Sequence, residues 1–248
     1  MGGTIRLFKF SGIQVYLHFS WFLIAAYQLT RSRAVYDSAA FAAIEYLALF
    51  VIVLLHEFGH SLACRQTGGT ADQIVLWPLG GIAFVNPPRR PGAVLWSIAA
   101  GPLVNVVLFP MFTVLLFVVG MPGAAGASDV SLLIWHIWCI NLGLLIFNIL
   151  PVYPLDGGQI LRALLWFPLG EIRSLQIASV IGIIGAIPLA GLSLWLGGDI
   201  FWMAILSLFL ISRAVAGWQY AKALVREEEA NRAAALVPTI PESERPGL

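Results

Sequence analysis

The sequence has very little charge for its length. Of its 248 residues, 11% are charged, whereas 59% are of hydrophobic types and the mean hydropathy is +0.87. A soluble domain of this size needs far more charge to cover its surface. The composition therefore excludes an ordinary soluble protein and predicts a protein that lies in the lipid bilayer.

The sequence also lacks basic runs and a cysteine framework. The net charge is +1 and no cluster of Lys and Arg could neutralise phosphates, which argues against nucleic acid as a partner. Cys64 and Cys139 both fall inside apolar runs, so no disulfide framework is expected. Nothing in the sequence indicates an oligomeric state.

Long apolar runs are abundant. A membrane span needs about 20 mostly apolar residues, and six segments qualify: 13–29, 42–64, 92–119, 131–150, 172–196 and 200–217. The first run follows Arg6 and Lys9, as in a signal peptide, but no small-x-small cleavage site follows it. We therefore expect an uncleaved first span.

Two other segments differ in kind from the spans. Residues 68–86, "GGTADQIVLWPLGGIAFVN", are rich in β-branched and aromatic residues and predict a β-hairpin or a re-entrant loop. Residues 222–248 are polar and predict a partly disordered cytosolic tail. The expected fold is an all-α polytopic membrane domain over residues 1–221, with six transmembrane helices and a small membrane-associated β-element between the second and third.

The Lys and Arg residues predict the orientation. If the N-terminus is cytosolic, all of the 14 Lys and Arg residues except Arg31 and Arg33 lie on the cytosolic side. Positive residues accumulate in cytoplasmic loops. We therefore expect both termini in the cytosol.

The string His56-Glu57-Phe58-Gly59-His60 near the end of the second span carries the strongest chemical signal. Histidines at i and i+4 lie on one helical face, about 6 Å apart, so both rings can reach one metal ion. The glutamate between them can accept a proton from a water at the metal. Polar residues that only join helices do not require this spacing, so we interpret the string as a metal site.

A catalytic zinc ion needs a third protein ligand, and Asp156 is the best candidate. It follows the helix-breaking residues Pro151 and Pro154 and precedes a Gly-Gly pair that permits close backbone approach. An Asp here could equally be the N-cap of the helix that follows. The residues alone leave both interpretations open.

Other ionisable residues compete for a role. Cys64 lies one turn after His60 on the same face, but structural cysteines in apolar helices are common. His18, near the cytosolic end of the first span, could support the metal site or gate it. For Glu45 and His136, toward the outer ends of their spans, interfacial polar residues are the favoured interpretation.

The sequence resembles the site-2 protease family of intramembrane zinc metalloproteases. The matching motifs are "LLHEFGHSLACRQTGG" (54–69), "AAGPLVNVVL" (99–108) and "NILPVYPLDGGQILRALL" (148–165). The Pro-Leu-Gly-Gly stretch at 78–81 resembles the family's membrane-associated β-element. The motifs occur in the family's order and cover a catalytic core of about residues 42–168.

The resemblance implies a ligand set and a catalytic group. His56, His60 and Asp156 would bind one Zn²⁺ per chain, and Glu57 would be the general acid and base. It favours Asp156 as a ligand over a helix cap, and it demotes Cys64.

The resemblance also implies supporting residues. Asn148 would hold the substrate backbone or the oxyanion, with Asn105 as a second candidate that could instead only pack helices. An extended substrate segment could pair with the β-element near Gly80 and Gly81. His18 is similar to a first-helix histidine of some members.

The expected substrates are transmembrane proteins, cleaved near the cytosolic side of the bilayer. The PDZ and CBS domains of many members have no place in this sequence. A metal-ion transporter, which has little use for Glu57, and a catalytically inert substrate-binding homologue are the alternatives. A prenyl-protein peptidase is disfavoured because "PVYPLDGG" is not expected there.

Overall fold

The computed structural model describes residues 3–23, 25–26, 35–77, 80–123, 128–195 and 200–236. The chain divides into two compact units. The first consists of Met1–Pro151 and Leu155–Leu164, and the second of Val152–Pro154 and Leu165–Leu248.

The first unit combines a sheet with long helices. Its elements are β1 (Thr4–Phe10), β2 (Ile13–His18), α1 (Ala39–Gln66), β3 (Thr70–Trp77), β4 (Gly80–Asn86), α2 (Pro91–Val119), α3 (Asp129–Ile149) and the start of α4 (Asp156–Leu169). The second unit contains the end of α4, α5 (Glu171–Trp195) and α6 (Ile200–Leu236).

Four of the described helical segments are long and apolar enough to cross a membrane. They are Ala39–Gln66, Pro91–Val119, Asp129–Ile149 and Glu171–Pro188. They coincide with the second to fifth predicted spans, and those four predictions are confirmed.

The first predicted span, residues 13–29, is wrong at its start. Ile13–His18 form β2, hydrogen-bonded between β1 and β3. Ile13 and Val15 are fully buried and pack with Leu17 against the core on α1. This alternation has the period of a strand, not of a helix. Residues 20–23 and 25–26 are helical, and the remainder of the predicted span lies outside the described residues.

The sheet has the order β1-β2-β3-β4. β1 and β2 form one antiparallel pair and β3 and β4 another, whereas β2 and β3 run parallel and are connected through α1. The β3–β4 pair confirms the β-element predicted at 68–86, although residues 78–79 lie outside the described part. The all-α class is corrected: the fold is mostly helical with a four-stranded sheet.

The sixth predicted span and the tail meet in one helix. α6 runs without interruption from Ile200 to Leu236, so the residues predicted to start the tail continue a helix. The side chains of 200–206 and all of residues 237–248 lie outside the described part of the chain. The sixth span and the division at residue 221 therefore stay predictions.

α1 crosses α2 at unusually close range. A Cβ on Gly59 would lie 2.6 Å from the backbone oxygen of Ala100, closer than real Cβ atoms approach. Only glycine permits this approach. The crossing brings the face of α1 that carries His56 and His60 against α2.

The second unit uses the same device. A Cβ on Gly182 of α5 would lie 2.3 Å from the Tyr153 oxygen, and one on Gly217 of α6 would lie 2.8 Å from Ser179 Oγ. Small residues at membrane helix interfaces allow such close packing.

Candidate metal centre

His56 and His60 lie one turn apart on α1, both buried. Their Nε2 atoms are 3.1 Å apart and their rings are nearly perpendicular, at 84°. The i, i+4 spacing thus brings two imidazole nitrogens close enough to bind the same metal ion.

Asp156, the first residue of α4, completes the group. Its Oδ2 lies 3.0 Å from His56 Nε2 and 3.4 Å from His60 Nε2. A Cβ on Gly157 would lie 2.2 Å from the Ile149 oxygen, so glycine is needed where the start of α4 passes the end of α3. The three predicted ligands come together, and the Asp156 carboxylate faces both histidines.

The ionisation of Asp156 suits a ligand. Burial raises the pKa of its carboxyl group, but hydrogen bonds from His56 and His60, through Nε2 protons that a bound metal ion would replace, lower it more. The net pKa lies below the ordinary value, so Asp156 is a carboxylate at neutral pH. A metal ligand must be deprotonated in this way.

The residues present fit a zinc ion. His60 Nδ1 lies 3.0 Å from the Ser97 carbonyl oxygen, which can only accept, so Nδ1 carries a proton and Nε2 is the nitrogen left for a metal ion. The three candidate ligand atoms lie 3.0 to 3.4 Å from one another, so a proton or a cation must lie among their lone pairs. Two imidazole nitrogens and one carboxylate oxygen are the donors of a catalytic zinc site with an open position.

Glu57 lies beside the metal group, formed by His56, His60 and Asp156, but its carboxylate faces the sheet. Its Oε2 accepts a hydrogen bond from the Ala83 backbone nitrogen of β4 at 2.9 Å. A Cβ on Gly81 would lie 2.2 Å from Glu57 Cγ, so the strand can approach the glutamate only because residue 81 is glycine. β4 is an edge strand of the sheet, and its outer edge meets Glu57.

A sequence model of peptidase family M50 matches residues 44–127 and 119–192. The chain belongs to this family. The matched residues include the three metal-group residues and Glu57. The resemblance to site-2 proteases stated from the motifs is confirmed by this match and by the relatives of the M50 chain.

Two curated relatives and one solved structure extend the M50 assignment. A zinc metalloprotease of Methanocaldococcus jannaschii is 35% identical over 73% of this chain and 51% of its own length. A putative zinc metalloprotease of Synechocystis is 30% identical over 97% of this chain and 66% of its own length. The chain thus spans about half to two thirds of these relatives. The structure of a site-2 protease from Methanocaldococcus jannaschii has a TM-score of 0.60 and 29% identity, over 87% of this chain and 95% of that chain.

Asn105 of this M50 chain lies beside His56. It is fully buried on α2, with Oδ1 2.7 Å from His56 Nδ1. Its Nδ2 donates to Asn141 Oδ1 at 2.9 Å, and Asn141 Nδ2 donates to the Asn105 backbone oxygen at 3.0 Å. Asn105 therefore contacts His56 on one side and Asn141 of α3 on the other. Contact of Asn105 with substrate, one of the two roles that the sequence left open, stays a prediction.

Asn148, Gly80 and His18 take no part in the hydrogen bonds that join Asn141, Asn105 and His56. Asn148 is in the last turn of α3 and partly buried. Gly80 pairs with Trp77. His18 ends β2 and stacks on Trp77 with ring centroids 4.0 Å apart. Among the described residues no hydrogen bond joins Asn148 or His18 to the metal group.

The competing ionisable residues have other partners. Cys64 Sγ donates to the Thr70 oxygen at 3.4 Å and is outside the metal group. Glu45, His136 and Tyr36 bond to one another: His136 Nδ1 lies 3.0 Å from Glu45 Oε2 and 2.8 Å from the Tyr36 hydroxyl. We expected Glu45 to be an interfacial residue that water can reach, but its side chain is buried in the protein.

Sequence reasoning missed Asn141 and the Ser97 carbonyl. The amide of Asn141 lies in an apolar span, which is itself a signal for function. The Ser97 contact involves only a backbone oxygen, so no side-chain pattern could reveal it.

Proposed function

We propose that this chain is an intramembrane zinc endopeptidase of the site-2 type, which hydrolyses peptide bonds of transmembrane proteins near the cytosolic side of the bilayer. One observation carries the proposal: His56, His60 and Asp156 meet at one point, with Glu57 on the same helix as the histidines. Membership of peptidase family M50 supports it.

His56 and His60 would hold one zinc ion through Nε2, and Asp156 would hold it through its carboxylate. A bound zinc ion would supply polarisation of the scissile carbonyl and of the attacking water. Glu57 accepts the proton of that water and returns it to the leaving amine. Glu57 and both histidines lie within five residues of α1, so the helix geometry fixes their relative positions.

The hydrogen bond from Ala83 to Glu57 supports the outer edge of β4 as the substrate-binding position. The Ala83 N–H points out of the sheet edge, because it meets Glu57 and not β3. A substrate helix must unwind before cleavage, since its carbonyls are otherwise occupied. The unwound segment pairs with the outer edge of β4, which satisfies backbone groups that lipid cannot.

Asn148 is the proposed partner of the substrate backbone or the oxyanion. It is partly exposed and lies at the end of α3, just before the loop that leads to Asp156. An amide donor aimed at developing negative charge stabilises the transition state. For His18 the proposed role is support or gating of the metal site. It stacks on Trp77, which pairs with Gly80 at the start of β4.

The proposed orientation places the metal group toward the cytosol, with both termini there. The cytosolic end of α1 carries Arg65, whose guanidinium donates to the Ser11 oxygen between β1 and β2. Arg90, the N-cap of α2, donates to the Thr67 oxygen at 3.0 Å. These contacts support a common side for Arg65, Arg90 and the β1–β2 turn, and positive residues accumulate on the cytoplasmic side.

Purified full-length protein in detergent, incubated with candidate transmembrane substrates, tests the activity. Wild type should cleave, and a zinc chelator should stop it. Glu57→Gln should abolish cleavage while zinc stays bound. Cleavage by Glu57→Gln would contradict the assignment of Glu57. Zinc flux into vesicles by the same variant, without cleavage by wild type, would indicate a transporter instead.

A further inference from the structure

We propose that Asn141 is a positioning residue of the metal centre, which acts through Asn105 to fix where His56 carries its proton. The two amides form a relay, named here the asparagine relay, that ends at the lone pair of His56 Nε2. The proposal rests on the zinc-binding role proposed above.

The relay starts at a group whose role is unambiguous. A backbone carbonyl oxygen can only accept a hydrogen bond, and the Asn105 oxygen lies 3.0 Å from Asn141 Nδ2. The nitrogen of the Asn141 amide must therefore face α2 at that point. Its Oδ1 is then left to face Asn105 Nδ2, 2.9 Å away.

The second amide passes this orientation on to the ring. Because Asn105 Nδ2 donates to Asn141, its Oδ1 is the atom that faces His56, at 2.7 Å from Nδ1. An amide oxygen only accepts, so His56 Nδ1 must carry the proton. In a neutral imidazole the lone pair then sits on Nε2, the atom that faces Asp156.

Both histidines carry a proton on Nδ1, but different groups hold it there. His60 Nδ1 bonds directly to the Ser97 backbone oxygen, whereas His56 depends on two side-chain amides. Partners of this kind orient metal-bound histidines and tune their affinity. His56 is therefore the ligand whose protonation can be changed by a side chain on α3.

Burial makes the relay necessary. Asn105 and Asn141 are both 0% exposed, so water does not compete for their amides. If Asn141 is lost, Asn105 Nδ2 loses its acceptor, and the Asn105 amide can turn its NH₂ toward His56 Nδ1. That orientation favours a proton on Nε2, which the metal ion must displace, so zinc binding is weakened.

Zinc affinity of the purified full-length protein, measured by competition with a chromophoric chelator, tests the relay. Asn141→Leu keeps the branched shape of the side chain and removes the polar groups, and Asn141→Ala removes both. Each should raise the zinc Kd by about 10–100-fold. Ser131→Ala is the matched control: Ser131 is a buried polar residue of the same helix, and its hydroxyl donates to the Ser128 oxygen within its own helix end. Its Kd should stay at the wild-type value.

A double-mutant cycle separates the relay from packing. Since Asn141 acts only through Asn105, Asn141→Leu or Asn141→Ala should weaken zinc binding no further once Asn105→Ala is present. Additive effects, or an unchanged Kd in Asn141→Leu, would overturn the relay. Loss in Asn141→Ala with recovery in Asn141→Leu would also overturn it, because packing alone would explain it. If wild type itself binds no zinc, the proposed function fails and the relay with it.

Discussion

At the scale of single residues, the metal group depends on a missing side chain. Gly101 of α2 faces both rings: a Cβ there would lie 2.2 Å from His60 Nε2 and 2.9 Å from His56 Nε2. The backbone of α2 therefore forms a wall of the site, and any side chain would push the ligand atoms apart.

Gly101→Ala should raise the zinc Kd by at least about tenfold, because ligand geometry within a few tenths of an ångström is required. Gly143→Ala is the matched control, since Gly143 is also helical and a Cβ there meets nothing within 4 Å. Its Kd should not change. Equal zinc binding by Gly101→Ala and wild type would contradict the placement of the site against α2.

Gly81→Ala should separate cleavage from metal binding. The new Cβ would overlap Glu57 Cγ, and misplacement of a catalytic group by about 1 Å costs roughly 100-fold in rate. Zinc content should stay at the wild-type level, because Glu57 is not one of the proposed ligands.

Gly143→Ala is the control for that variant as well. Gly143 lies on α3, outside β4, and a Cβ there meets nothing within 4 Å. Cleavage should remain near wild type. If Gly81→Ala cleaves as fast as wild type, the close approach of β4 to Glu57 has no catalytic role.

Much of the metal group could be predicted from the sequence, for a local reason. The histidines and Glu57 lie within five residues of one helix, so helical geometry alone fixes their relation. The assignment of Asp156 as a ligand needed the family resemblance, because the residues around it fitted a helix N-cap equally well. Asn141 bonds to a residue 36 positions away, a tertiary relation that no local pattern encodes.

At the scale of elements, the α1–α2 crossing holds the two halves of the site together. α1 carries the histidines, and α2 carries Asn105 and the Ser97 oxygen that orient them. Gly59 allows α1 to reach the Ala100 backbone. The distance between these helices therefore sets the geometry of the metal group.

Gly59→Leu should force the helices apart. Overpacking of this kind costs about 1–3 kcal/mol, so the Tm should fall, and zinc content should fall with it. Leu62→Ala, a change at a residue of α1 that is 38% exposed, should keep its zinc. A Gly59→Leu protein with wild-type Tm and zinc content would contradict the close crossing.

The sheet was harder to predict than the helices. The β3–β4 segment is bounded by glycines and has a strand composition, so it was found. β2 was missed because its alternating Ile13, Val15 and Leu17 merge with the apolar residues that follow, and hydropathy averages out a period of two. Only pairing with β1 and β3, across the length of α1, makes this segment a strand.

At the scale of the whole molecule, the charges predict one orientation in the bilayer. α1 has 28 residues and is about 42 Å long, enough to place its two ends on opposite sides of the membrane. Asp37 precedes it and Asp72 follows it, and both are exposed.

Single cysteines at these two positions, in a chain without Cys64 and Cys139, test the orientation. Asp37→Cys should react with a membrane-impermeant thiol reagent in intact cells. Asp72→Cys should react only after permeabilisation. The reverse pattern would contradict a metal centre on the cytosolic side.

The most direct test of the whole account is the zinc content of purified protein, measured per chain by mass spectrometry of the metal. We expect one zinc per chain in wild type, almost none in Asp156→Ala, and one in His136→Gln, a histidine outside the metal group. A full zinc content in Asp156→Ala, or none in wild type, would contradict a centre built from His56, His60 and Asp156.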